Sequence, residues 1–76
     1  MRNKVIEILS EIRPEFDFKV DVNYIESGML DSFDVVTLVV NLDEEFGISI
    51  NGTDILPENF CSIDSIIQLL LKYKNH

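Results

Sequence analysis

Seventy-six residues, 46% of them hydrophobic, make one domain of modest stability, too small to enclose a deep substrate pocket in a core of its own. Fourteen acidic residues against 6 basic ones give a formal net charge of −8. That balance argues against nucleic acid, where affinity comes mostly from Lys and Arg neutralising phosphates, and against an anionic membrane surface.

The charge is unevenly spread. Arg2, Lys4, Arg13, Lys19, Lys72 and Lys74 all lie near the two ends. Between positions 20 and 71 there is no Lys or Arg, but there are ten acids: Asp21, Glu26, Asp31, Asp34, Asp43, Glu44, Glu45, Asp54, Glu58 and Asp64. A one-signed middle attracts basic partners and speeds their encounter in a salt-dependent way, although solubility alone also accounts for an acidic surface. The lone cysteine, Cys61, excludes an internal disulfide framework, suits a reducing compartment and is expected as a small core residue. No apolar run is long enough to span a bilayer, and Glu7 and Glu11 interrupt the one that follows the basic N-terminus. A cytoplasmic, monomeric chain without a signal peptide is therefore expected.

In chain order, Val5, Ile8, Leu9 and Ile12 recur at i, i+3, i+4 and i+7 and predict an amphipathic helix over residues 3–12. Pro14 restricts Arg13 and ends it. Residues 16–24 alternate apolar and polar, the period of a strand. A single strand would leave its backbone groups unpaired, so an extended loop is the better expectation, with Phe16, Phe18, Val20 and Val22 laid onto a helical core. Pairing of this stretch with a second copy stays open. Ile25-Glu26-Ser27-Gly28 reads as a turn, with Gly28 free to take a positive φ. Met29 and Leu30 return to the core.

Asp31 or Ser32, both good N-cap types, starts a second helix over residues 32–46. Val35, Leu38, Val39, Leu42 and Phe46 are its predicted core face. A second apolar set, Phe33, Val36 and Val40, lies to one side, and a bundle this small is expected to leave part of it exposed. Asp34, Thr37, Asn41, Asp43 and Glu44 border it, a composition suited to a partner-binding helix. Gly47 is a good residue to end the helix, Asn51-Gly52 is a turn signal, and Pro57-Glu58-Asn59-Phe60 suits one helical turn with Phe60 packed inward. Ser62 caps a last helix with Ile63, Ile66, Ile67, Leu70, Leu71 and Tyr73 as its buried stripe. Lys72 and Lys74 lie favourably near its C-terminus.

Little in the sequence performs chemistry alone. The one histidine, His76, stands at the last position, so a Ser-His-Asp arrangement lacks a credible base. Asp43-Glu44-Glu45 is a helical run rather than a ligand set, no stretch fits a calcium loop, and there is no glycine-rich phosphate loop, so no metal site and no enzyme are expected.

The stretch Gly28-Met29-Leu30-Asp31-Ser32-Phe33 resembles the attachment motif of the acyl and peptidyl carrier proteins: a glycine, one or two apolar residues, Asp-Ser, then Leu or Phe. The Val- and Leu-rich helix ending Asp43-Glu44-Glu45-Phe46, the Pro57-Glu58-Asn59-Phe60 turn and the apolar last helix are similar to that family in register, across essentially the whole chain. The resemblance implies an all-α carrier-protein four-helix bundle, with three main helices, one short one and a long loop after the first. It implies that a phosphopantetheinyl transferase moves phosphopantetheine from coenzyme A onto Ser32, that the arm holds acyl or aminoacyl groups as thioesters, and that loading and processing enzymes dock through basic patches. By position, Phe33, Val36 and Val40 would be the apolar contacts, and Asp31, Asp34, Asp43 and Glu44 the acidic ones. Thr37 departs from the acid of many fatty-acid carriers. Phe33 departs from their usual Leu, and Phe there also occurs in D-alanine carriers and other freestanding carriers, so the pathway stays open. The alternative is an unmodified acidic helical interaction module in which Ser32 is only a cap.

Overall fold

The computed structural model describes residues 1–74; Asn75 and His76, the histidine considered above as a base, lie outside the described residues. Three α-helices carry the fold: α1 (Arg2–Ile12), α2 (Ser32–Phe46) and α3 (Ile63–Lys74). Two 3-10 turns, Gly52–Asp54 and Pro57–Asn59, lie between α2 and α3. The second is the expected short element with Pro57 in its first turn; the first is an addition where only a loop turn was expected. No strand occurs among the described residues. The architecture is the all-α bundle anticipated from the periodicities.

Helix α1 is the element the others share, packing against both α2 and α3. Its Val5 and Leu9 are fully buried, together with Leu38 and Leu42 of α2 and Ile66 and Leu70 of α3. The i, i+3, i+4 spacing produces this, because it keeps one face of each helix toward the common core. Each fully buried aliphatic side chain contributes about 1.5–3 kcal/mol.

Three details of the predicted core change. On α3 the buried set is Ile63, Ile66, Leu69 and Leu70, while Leu71 is exposed and Ile67 and Tyr73 are half-buried. Successive residues turn by about 100°, so the three leucines at 69–71 cannot share a face, and packing of α3 against α1 and the second 3-10 turn leaves Leu69 buried and Leu71 exposed. Phe46, in the last turn of α2, is half-buried rather than core, and Cys61 is half-buried as well.

Helix ends follow local chemistry. Gly47 takes φ 63°, and its N–H and that of Ile48 both reach the carbonyl of Asp43. Lys74 adds a cation there, donating from Nζ to the Phe46 carbonyl at 3.3 Å. At the start of α3 the Ser62 hydroxyl accepts from the Ser65 N–H at 3.1 Å, the expected cap.

Residues 14–31 form a series of turns and bends, neither strand nor an evenly extended loop. Asp17 accepts from the Lys19 N–H at 3.0 Å, and Asn23 accepts from those of Ile25 and Glu26 at 3.0 and 2.9 Å. These side chains close turns two and three residues ahead, and so the alternation in sequence is not an alternation of faces. Of the alternating residues 16–24 only Phe18 and Tyr24 go into the core, while Phe16, Val20 and Val22 stay exposed; Met29 and Leu30 return to the core as expected. The Tyr24 hydroxyl donates to the Phe18 carbonyl, and the two rings meet edge to face at 5.1 Å. Burial pushes the Tyr24 phenol above its ordinary pKa. Tyr24 also ties the loop to the far side of the bundle, its N–H donating to the Cys61 carbonyl at 2.8 Å while its own carbonyl accepts from the Leu30 N–H at 3.0 Å. Gly28, at φ 81°, makes the last reversal before α2.

Candidate functional site

The site is built on the first turn of α2. Asp31 is the N-cap: its Oδ1 accepts from the Asp34 N–H at 2.9 Å, and Asp34 Oδ2 accepts from the Asp31 N–H at 3.0 Å. This reciprocal capping box satisfies two helix-end donors at once. The choice between Asp31 and Ser32 is thereby decided for Asp31. Ser32 becomes the first helical residue, exposed, and its hydroxyl makes no hydrogen bond to any described residue. A free hydroxyl thus stands at a helix N-terminus, the end favourable to negative charge.

The apolar strip is exposed as expected. Phe33 is 82% exposed, Val36 58% and Val40 51%, on the same helix that carries Ser32. Beside it lies an apolar groove of about 260 Å³, lined by Ile25, Leu30, Val35, Val36, Ile55 and Pro57, with Asp31 and Ser32 among its lining residues. Sequence reasoning missed this groove, because it joins the turn before α2 to the segment after the first 3-10 turn.

The four acids expected along the strip divide. Asp34 is a correction: it was expected at the exposed border but is 8% exposed, committed to the capping box and to Arg13, whose Nε donates to Asp34 Oδ2 at 2.8 Å. Asp31 is exposed yet also engaged, with Arg13 Nη2 3.3 Å from its Oδ2. The Asp34 N–H first, and the Arg13 charge after it, hold the Asp31 carboxyl below the usual carboxylate range. Asp43 is half-buried and turned to a structural task, its Oδ1 accepting from the Ile50 N–H at 3.1 Å. Only Glu44 is exposed with no ion pair to a described residue. Its neighbour Glu45 pairs with Lys4 of α1 at 3.1 Å, which raises the Lys4 pKa.

Residues 3–70 match the family model described as "Phosphopantetheine attachment site". The chain belongs to the phosphopantetheine-attachment family of carrier proteins. Among its curated relatives, a D-alanyl carrier protein of Bacillus velezensis is 29% identical over 75 residues, covering 96% of each chain. A D-alanyl carrier protein of Lacticaseibacillus casei is 36% identical over 50 residues, 63% of this chain and 62% of its own. Aminoacyl carrier protein 1 of Bradyrhizobium diazoefficiens is 28% identical over 75 residues, 93% of this chain and 82% of its own.

The prosthetic group of this carrier family is phosphopantetheine, and the first turn of α2 fits such a group. It offers an uncommitted hydroxyl, a helix N-terminus toward a phosphate, and an apolar groove beside it for an arm. The residue that sequence reasoning left unassigned is Arg13. Its only local signal is an arginine directly before the proline that ends α1, and its partners are 18 and 21 positions away. Among the described residues no helix is long and apolar enough to cross a membrane, and no group of metal-ligating side chains occurs.

Proposed function

We propose that Ser32 bears phosphopantetheine and that the chain holds an aminoacyl or short acyl group as a thioester and presents it to partner enzymes. The observation that carries this reading is the freed hydroxyl: Asp31 and Asp34 do the capping, so Ser32 is available for modification without cost to the helix. In the attachment, Ser32 Oγ displaces adenosine 3′,5′-bisphosphate at the β-phosphorus of coenzyme A, with the hydroxyl proton taken up within the transferase site. Once attached, the group supplies the thiol that holds the load. A phosphodiester on Ser32 meets the positive end of α2, a favourable term of about 0.3–1 kcal/mol, and Arg13 offsets the neighbouring Asp31 charge.

One observation favours a small load: the relatives are named D-alanyl and aminoacyl carriers. Partner enzymes with basic patches would meet Phe33, Val36, Val40 and Glu44, the exposed members of the strip.

The test is intact mass before and after incubation with coenzyme A and a permissive phosphopantetheinyl transferase. A gain of one phosphopantetheine, absent in Ser32→Ala, is expected. A folded wild-type protein that gains nothing with several transferases overturns the reading and leaves the Phe33 strip as the face of an unmodified interaction module.

A further inference from the structure

The N-terminus of α2 is held from outside the helix. Arg13, the residue that caps the end of α1, spreads its guanidinium over three carboxylates. Nε donates to Asp34 Oδ2 at 2.8 Å, Nη2 to Asp31 Oδ2 at 3.3 Å, and Nη1 to Glu15 at 3.4 Å. Asp34 Oδ2 is therefore the joint of the assembly, since it also accepts the Asp31 N–H. A capping box usually pairs a neutral Ser or Thr with one acid. Here both members are acids, with the Asp34 side chain only 11% exposed, a pairing that a nearby cation favours. In the sequence no Lys or Arg lies between positions 20 and 71, and the fold brings the cation from the end of α1.

We infer, on the reading that Ser32 is the attachment residue, that Arg13 is a positioning residue for the attachment: its fork clamps both carboxylates of the capping box and fixes the first turn of α2, which presents Ser32 to the transferase. Arg13 makes no hydrogen bond to Ser32 and acts through Asp31 and Asp34. The two bonds leave different nitrogens of one planar group, a geometry that a lysine ammonium does not reproduce.

This role differs in sign from the alternative. If Arg13 only masks Asp31 and Asp34 from basic partners, removing it exposes two acids and strengthens docking. If it positions the turn, removing it lowers the fraction of carrier in the competent arrangement. The apparent KM then rises by the inverse of that fraction while kcat is unchanged, so a turn in place a tenth of the time raises KM about tenfold.

The experiment measures kcat and KM for phosphopantetheine transfer to the full apo chain, comparing wild type, Arg13→Gln and Arg13→Lys well below their melting temperatures. Expected is a raised KM at unchanged kcat for Arg13→Gln, with Arg13→Lys closer to Gln than to wild type. A KM that is unchanged or lower in Arg13→Gln, or full rescue by lysine, overturns the inference. Should Arg13→Gln fail to fold, Arg13→Lys decides alone: a wild-type KM overturns, a raised one supports. An unmodified wild type would instead overturn the attachment reading itself, so the two failures are distinct.

Discussion

Asp31 and Asp34 cap each other, side chain to backbone in both directions, at 2.9 and 3.0 Å. The neighbouring Ser32 is left outside that exchange, although as a serine at a helix start it would ordinarily be the cap. Stability and modification should therefore separate. Ser32→Ala is expected to change unfolding free energy by less than about 0.5 kcal/mol while abolishing attachment. Asp31→Ala should lower the melting temperature clearly. Thermal unfolding of the two variants side by side checks this; a larger loss for Ser32→Ala would mean that the hydroxyl caps after all.

The acids of α2 should not behave alike. Glu44→Lys touches no internal bond and is expected to leave stability unchanged. It should slow association with a basic partner at low salt and lose that effect near 1 M, where the Debye length is about 3 Å. Asp43→Lys should instead destabilise, because it removes the acceptor of the Ile50 N–H. Stopped-flow association rates with denaturant melts of each single variant would separate docking from folding. An on-rate for Glu44→Lys that equals wild type at low salt would remove Glu44 from the docking face.

The loop after α2 is clasped to α3 by Asp54, which accepts from the Tyr73 hydroxyl and pairs with Lys72 Nζ at 3.2 Å. The Tyr73 hydrogen bond first, and Lys72 after it, hold the Asp54 carboxyl below its ordinary pKa, while Asp54 raises that of Tyr73. A depressed carboxylate contributes stability that is present above the unfolded-state pKa, about 3.9, and is lost as pH falls through the folded value. The raised phenol contributes below about pH 10 and loses its share as pH rises through the folded value. Melting temperature should fall below about pH 4 more steeply in wild type than in Asp54→Asn, so the two curves converge in acid. Parallel curves from pH 7 to 3 would show that the clasp carries no linked proton.

The alternating stretch of residues 16–24 is anchored by one buried pair, Phe18 and Tyr24. Removing the Tyr24 hydroxyl leaves the Phe18 carbonyl without its partner in the core, so Tyr24→Phe should cost about 1–3 kcal/mol. Phe18→Ala should cost about 3–5 kcal/mol, as for any fully enclosed ring. Val20→Ala and Val22→Ala, at exposed positions of the same alternating stretch, should fall within about 0.5 kcal/mol. Chemical denaturation of the four variants tests the ranking.

Read from sequence, the chain yields its helices and most of their ends, because these depend on residues within one or two turns. Val5, Ile8 and Leu9 share a face by spacing alone, Gly47 ends α2 by its own backbone freedom, and Ser62 caps α3 by reaching three residues ahead. The exposed strip of Phe33, Val36 and Val40 and the place of Ser32 at the start of α2 are local in the same way. Tertiary structure decided what depends on distant partners. Adjacent leucines at 69–71 carry no preference until the elements that pack on α3 are in place. The alternation of residues 16–24 means little until side-chain turns at Asp17 and Asn23 choose which rings go inward. Above all, a stretch with no cation acquires one: Arg13, 18 and 21 residues away, takes Asp31 and Asp34 into the structure, and the acidic surface left beside Ser32 is smaller than the acids in sequence imply. Coulombic partners are set by distance in space, and sequence order does not record it.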